Sequence, residues 1–294
     1  METADGQKHL KIGGMALENG VMFQTEKHWA MALREPDGEI RIASGDKMSL
    51  GLKSMRKVPL LRSLINLAES AMVLPRASAH GGQLPIMTRS PEVIASMIVS
   101  IAGSIAVKNP KRKRSPLMEE VLVAALAVVP SLVALRRSQA IQYHAAEHKS
   151  INVYEASGRL DPVRASKAQA EHPRCGSNIV GPALALMTVG NTMAQRVMGR
   201  HSNVARLGVS VLSLSGAVEL VQWASRNPKS LWSKMLTMPG GELQNLVTTS
   251  EPTEDKMAIG LAALRELLRL EGALEPPLPA AEQDTSPAQP PAVA

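Results

Sequence analysis

Two apolar runs joined by a short basic turn most restrict the folds open to this chain. The runs cover residues 93–107 and 121–135, fifteen residues each, and the turn between them, K-N-P-K-R-K-R-S-P, carries five basic residues. A helix of that length is only about 22 Å long against roughly 30 Å of bilayer hydrocarbon, so neither run by itself predicts a secure transmembrane helix. Together they predict a shallow membrane hairpin or a pair of helices buried in a bundle.

The basic turn predicts an anionic membrane surface as a partner, because clustered Lys and Arg attract anionic headgroups. Nucleic acid is not predicted, since no aromatic residues are interleaved with the basic ones and no nucleic-acid-binding motif accompanies them. Arg136 and Arg137 follow the second apolar run. Basic residues therefore flank that run at both ends, and the positive-inside rule selects no orientation.

The composition describes a folded protein with an unusual core. Apolar residues make up 45% of the 294 residues and charged residues 20%, which is typical of a globular chain. Only 2% are aromatic, so small aliphatic residues and sixteen Met must fill the interior. The single cysteine, Cys175, excludes an intrachain disulfide. The N-terminus METADGQKHLK is too polar to supply the apolar core of a secretory signal peptide.

The hydrophobic pattern predicts a mainly α protein with a small N-terminal β-hairpin element (α+β), built as a membrane-associated helical bundle. In the N-terminal part, R-E-P-D-G between two apolar-rich runs predicts the hairpin, and Gly13, Gly14 and Gly20 are interpreted as turn residues. Five regions are predicted: a flexible N-terminus (1–10), the β element (11–45), a helical part with the possible membrane hairpin (46–140), a helical region with the metal site and a docked C-terminal helix (141–272), and a disordered, proline-rich tail (273–294).

The stretch Y-H-A-A-E-H-K, residues 143–149, is a candidate metal site. On a helix, the imidazoles of His144 and His148 leave one face about one turn apart, beside Glu147. The order H-x-x-E-H is that of the inverted zinc-peptidase motif, in which both histidines bind zinc and the glutamate is the general base. The pattern leaves an alternative open, namely a polar helix face on which Glu147 pairs with His148 or Lys149.

A metal centre needs a third ligand, and several residues can supply it. His172 and Cys175 are three positions apart in H-P-R-C and carry good zinc donors. Glu219 lies inside an apolar run, where a carboxylate costs free energy unless it binds a metal or pairs with an Arg. The alternatives for H-P-R-C are a turn with a small buried thiol and a nucleophilic cysteine, although no partner to orient a nucleophile is evident. Further acidic candidates are Glu155 and Glu171.

Several blocks, taken in order, resemble the YqhQ-like family of bacterial proteins, domain of unknown function 1385. The resemblance covers residues 11 to 271 and implies a multi-pass membrane protein, a predicted metal-dependent enzyme without an established reaction. It implies a location at the bacterial cytoplasmic (inner) membrane or its cytoplasmic face. The blocks that carry it are G-G-M-A-L-E-N-G-V-M-F, Y-H-A-A-E-H-K-S-I-N-V-Y-E, H-P-R-C-G-S, S-G-A-V-E and P-G-G-E-L-Q-N-L-V-T-T-S-E-P.

The resemblance also implies which residues form the site. Zinc is the expected divalent metal, Glu147 the general base and metal-assisted hydrolysis the reaction type. The competing hypothesis is a non-enzymatic membrane scaffold or protein-binding protein with a structural metal site or a hydrogen-bonded polar core. The family's motif positions fall on His144, Glu147, His148, Tyr154, Glu155, His172, Arg174, Cys175, Gly176 and Glu219.

Overall fold

The computed structural model describes residues 10–84, 91–109, 111, 114–198 and 203–273. The predicted flexible N-terminus lies outside these ranges except for residue 10, and the predicted disordered tail except for residue 273. Pro110, Arg112 and Lys113 of the basic turn also lie outside them. The described part is mainly helical with one small antiparallel sheet, which confirms the predicted fold class.

The sheet has four antiparallel strands in the order β1-β2-β3-β4. The predicted hairpin joins β3 to β4, where Arg34 pairs with Ile40 across a turn that contains Gly38 at φ 89°. Gly13 and Gly14 were wrongly predicted as turn residues, because they lie within β1. Gly20 begins β2 directly after the two-residue turn that joins it to β1, and a Cβ there would approach the backbone oxygen of Ala32 to 2.1 Å. The strands are β1 Gly13–Leu17, β2 Gly20–Gln24, β3 His28–Arg34 and β4 Ile40–Asp46.

The helices follow the sheet along the chain. The segments predicted as fifteen-residue runs extend to 17 and 22 residues in the third and fourth helices, because the flanking polar residues continue the helical backbone. In chain order the helices are α1 Pro59–Ala71, α2 Leu74–Ala79, α3 Pro91–Val107, α4 Pro116–Arg137, α5 Ala140–Ser157, α6 Pro162–Lys167, α7 Ser177–Met198, α8 Asn203–Arg226, α9 Leu231–Leu243 and α10 Glu254–Leu270.

Helix α5 is held between the sheet and α10. Tyr143 and Ile151 of α5 are buried with Phe23 of β2 and with Leu264 and Leu267 of α10 in one apolar cluster. The packing of these two α5 side chains therefore fixes the rotation of the helix about its axis. His144 and His148 lie on an adjacent face of the same helix.

Helices α3, α4, α7 and α8 form an antiparallel bundle. Glu120, near the start of α4, accepts hydrogen bonds from Gln195 near the end of α7 at 2.8 Å and from Arg206 near the start of α8 at 2.7 Å. Lys108, just after α3, lies 3.6 Å from the same carboxylate. The turns between α3 and α4 and between α7 and α8 consequently lie at the same end of the bundle. The opposite end leads into α5 and the H-P-R-C loop.

Two helices in the described ranges are long and apolar enough to cross a membrane by length and composition. They cover Pro116–Ala134 and Val204–Arg226, with mean hydropathies of 2.0 and 1.6, and only 17% and 28% of these segments are buried inside the protein. Many large apolar side chains of the bundle point outward, among them Ile98 and Ile105 of α3. An exposed apolar surface of this kind is typical of a protein that contacts a membrane or a partner.

Candidate metal centre

The two histidines of the H-x-x-E-H motif lie side by side on α5. Their ring centroids are 4.3 Å apart, as expected for positions separated by four residues on a helix. His148 is 1% exposed. The helix ends at Gly158, which adopts φ 70° as a left-handed C-terminal residue.

Backbone carbonyls fix the tautomer of both imidazoles. Nδ1 of His144 lies 2.8 Å from the carbonyl oxygen of Thr248, and Nδ1 of His148 lies 2.6 Å from that of Ala170. A carbonyl oxygen can only accept, so each Nδ1 carries the hydrogen and donates it. Each Nε2 is then left with a free lone pair, which is the form in which histidine binds a metal.

Cys175 completes a group of three soft or borderline donors. Its Sγ lies 3.2 Å from Nε2 of His144, and the ligand atoms of His144, His148 and Cys175 all lie within 4.8 Å of one another. Zinc binds imidazole nitrogen at about 2.0–2.1 Å and thiolate sulfur at about 2.3 Å, so atoms at these separations can share one ion. The buried thiol fits the same role.

A buried hydrogen-bond network holds the loop that carries Cys175. Gln244 accepts from the backbone N–H of His172 at 3.0 Å and donates to the Asn178 side chain at 3.3 Å, while Asn178 donates to the carbonyl of Pro173 at 2.9 Å. A Cβ at Gly240 would lie 2.2 Å from Oδ1 of Asn178, so only glycine permits this contact.

Sequence reasoning did not assign roles to Asn178, Gln244 or Thr248. The π-helical turn Gln244–Thr248 brings the Thr248 carbonyl to His144 and starts with the glutamine of the network. Gln244 and Thr248 lie within the P-G-G-E-L-Q-N-L-V-T-T block, and Asn178 directly follows H-P-R-C-G-S. Their position in or beside these sequence blocks was the signal that could have identified them as part of the site.

His172 lies beside the donor group without joining it. Its Nδ1 accepts from the backbone N–H of Arg174 at 3.3 Å, and its Nε2 is 3.5 Å from Oε2 of Glu155. Burial lowers the pKa of this imidazole. Glu155 also pairs with the Arg174 guanidinium. Burial alone would raise the pKa of Glu155, but His172 and Arg174 together outweigh it, so that the pKa of Glu155 is lowered. The ion pair of Glu155 and Arg174, together with His172, forms a polar group next to the candidate ligands.

Glu147 is fully buried, and no hydrogen bond or ion pair to its carboxylate occurs among the described residues. Burial raises the pKa of Glu147 to about 7, with a smaller opposing effect from His144. The carboxyl group packs against β1, where a Cβ at Gly14 would lie 2.3 Å from its Oε1. Glu147 is not one of the three convergent donors.

The remaining candidates lie elsewhere. The Glu219 carboxylate accepts hydrogen bonds from Arg62 and Ser63 of α1, which matches the alternative of pairing with an Arg and gives no support to Glu219 as a ligand. Tyr154 is buried in the apolar cluster against the sheet. Glu171 is exposed, and its backbone carbonyl accepts from Asn152.

Gly14→Ala is expected to lower the free energy of unfolding by about 1–3 kcal/mol, because the added methyl group overpacks against the Glu147 side chain. Gly13→Ala is the matched control, since its Cβ would lie at an ordinary 3.8 Å from Gln24. Chemical denaturation would measure both. In a Glu147→Ala background the cost of Gly14→Ala should disappear; an undiminished cost would show that Gly14 has another role.

Comparisons with known proteins agree on one family. The profile of a family described as "Protein of unknown function (DUF1385)" matches residues 58–270, which include all three convergent donors. The chain is 26% identical to "Uncharacterized protein YqhQ" of Bacillus subtilis over an alignment of 313 residues, which covers 90% of this chain and 94% of that protein. No solved structure matches.

Proposed function

The chain belongs to the DUF1385 family of proteins of unknown function, and we propose that it binds one divalent metal ion, zinc, through His144, His148 and Cys175. The observation that carries the proposal is the convergence of one ring nitrogen from each histidine and the Cys175 thiol within 4.8 Å. Both imidazoles are held by carbonyls in the metal-binding tautomer. Two nitrogen donors and one sulfur donor suit zinc, and three protein ligands leave a position for substrate.

The chemistry that these residues support best is metal-assisted hydrolysis. A zinc ion bound there would supply Lewis acidity toward a carbonyl or phosphoryl oxygen. Glu147 is the proton-accepting residue of the proposal, because it follows the H-x-x-E-H order and burial raises its pKa to about 7, close to neutral pH. The arrangement names a reaction class and leaves the substrate open.

The proposed location of the protein is the bacterial cytoplasmic membrane. The lengths of α4 and α8 and the outward-facing apolar side chains of the bundle support it. Lys108, Lys111 and Arg114 lie at the end of the bundle that carries the basic turn, where they would contact anionic headgroups.

One observation favours a second candidate, a structural metal site in a membrane scaffold or protein-binding protein. Nε2 of His172 is buried and makes no hydrogen bond with any described residue, although Oε2 of Glu155 lies 3.5 Å away, and the His172 ring centroid is 5.7 Å from that of His148. A change of rotamer could bring His172 to the metal as a fourth ligand. A closed shell of four protein ligands is typical of structural zinc.

Titration of metal-free protein with Co²⁺ tests the proposal and separates the two candidates. Wild-type protein is expected to develop a near-ultraviolet thiolate-to-cobalt charge-transfer band, because Cys175 is a ligand. Cys175→Ser should abolish that band while weaker, nitrogen-ligated Co²⁺ binding persists. His172→Ala should leave the spectrum unchanged if the shell has three protein ligands, whereas an altered visible spectrum favours the structural site. A wild-type spectrum without the band contradicts the proposed ligand set.

A further inference from the structure

Helix α9 crosses the end of the helical bundle instead of running along it. Gly190 of α7 packs on Val209 of α8, and Gly216 of α8 packs on Leu186 of α7. This antiparallel register places the first turn of α7 level with the last turns of α8.

Both ends of α9 lie at that level. The helix begins after a turn of residues 227–230 that follows the end of α8. Near its other end, Pro239 lies against Gly181 and Gly240 against Asn178, both in the first turns of α7. A helix whose two ends share one level must lie roughly perpendicular to the bundle axis.

The outer face of α9 is apolar and flanked by basic residues. Leu231, Trp232, Met235 and Met238 are 70%, 71%, 58% and 66% exposed. Arg226, Lys229 and Lys234, beside this face, are also exposed. An apolar stripe with a tryptophan and flanking cations is the pattern of a helix that lies in a lipid–water interface and contacts anionic headgroups.

The dimensions of the bundle agree with the position of α9 in a lipid–water interface. Arg206 and Arg226 stand near the two ends of α8, and the helical rise from one to the other, over twenty residue steps, is about 30 Å, close to the thickness of bilayer hydrocarbon. The Glu120 cluster lies at the level of Arg206. Charged groups thus mark both ends of an apolar zone, and α9 lies at the end marked by Arg226.

We propose that α9 lies in the plane of the membrane surface, with its apolar stripe among the acyl chains of anionic phospholipids and its basic residues at their phosphates. Because α9 continues into the Gln244–Thr248 turn, which bonds to His144, this places the donor group at headgroup depth. Substrates would then be amphiphiles or membrane-protein segments presented at the lipid surface. The placement of α9 rests on the proposed membrane association and is independent of the metal, whereas the substrate class rests on both.

Tryptophan quenching tests the proposal with full-length protein in vesicles of phosphatidylethanolamine and phosphatidylglycerol. Part of the lipid carries bromine either near the headgroup or near the end of the acyl chain. The difference in fluorescence between wild-type protein and Trp232→Phe is the signal from α9. The same comparison with Trp223→Phe gives the contribution of the second exposed tryptophan, and Trp29, which is buried in the sheet, is the unquenched reference.

Bromine near the headgroup is expected to quench the Trp232 signal at least about twofold more strongly than bromine near the end of the acyl chain. The reason is that an interfacial helix buries its apolar face only about 5–10 Å into the bilayer. Stronger quenching by deep bromine would overturn the proposal, because α9 would then be inserted into the hydrocarbon. Absence of quenching, with the protein bound to the vesicles or not, would also overturn it. Metal content does not enter any of these outcomes.

Discussion

The His144→Ala/His148→Ala variant is expected to contain no metal above background, whereas wild-type protein purified without chelators should carry about one zinc ion per chain. The variant loses two of the three convergent donors, and a single thiol cannot hold the ion against buffer and water. The effect is the largest expected here, because it removes the whole binding free energy. Inductively coupled plasma mass spectrometry measures the content directly.

His80→Ala is the control for this experiment, since His80 is exposed and lies outside the donor group. It should leave the metal content unchanged. A chelator should lower the melting temperature of wild-type protein and leave that of the double variant unaffected, because only a bound ion stabilises the folded state by mass action. Metal-free wild-type protein, or full metal content in the double variant, would contradict the proposed centre.

Glu147→Gln is expected to stabilise metal-free protein at alkaline pH by about 3 kcal/mol, since a pKa difference of one unit corresponds to about 1.4 kcal/mol. Burial raises the pKa of Glu147 from 4.5 to about 7 in the folded state. Between these two values the folded chain holds a proton that the unfolded chain releases. The free energy of unfolding of wild-type protein should therefore fall as the pH rises from 4.5 and level off above 7.

Denaturation of chelated protein at pH 4.5 and pH 8 would measure this effect. Wild-type and Glu147→Gln proteins should have similar stability at the lower pH and diverge at the higher pH, because an amide cannot ionise. Glu39→Gln, at an exposed position, should follow wild type throughout. If Glu147→Gln follows wild type as well, the carboxyl group is already neutralised by a partner.

The features that depend on local sequence were well predicted. The D-G turn joins β3 and β4, as its residues indicated, because a glycine can adopt the positive φ of Gly38. The C-terminal helix predicted within residues 141–272 is α10, which is followed by Gly272 at φ 64°. Helical periodicity also placed His144 and His148 on one face.

Features that depend on distant packing were not predicted. Gly13 and Gly14 were interpreted as turn residues, since glycine within a strand, as at Gly14 where the Glu147 side chain approaches closely, has the same sequence signature as a turn. The apolar run of α8 made Glu219 a candidate ligand, and only the packing of α1 on α8 showed that Arg62 and Ser63 bind it. The helix boundaries of α3 and α4 were set too short because apolar residues alone defined them.

The sequence by itself determined the helical class, the hairpin and the paired imidazoles of α5, because these follow from backbone preferences and the helical repeat within a few residues. Tertiary structure alone decided which donors meet. Cys175 reaches His144 across 31 positions and the Thr248 carbonyl reaches it across 104, through loops whose course is set by buried hydrogen bonds of Asn178 and Gln244. Contacts at such separations depend on how whole elements pack, which no local pattern encodes.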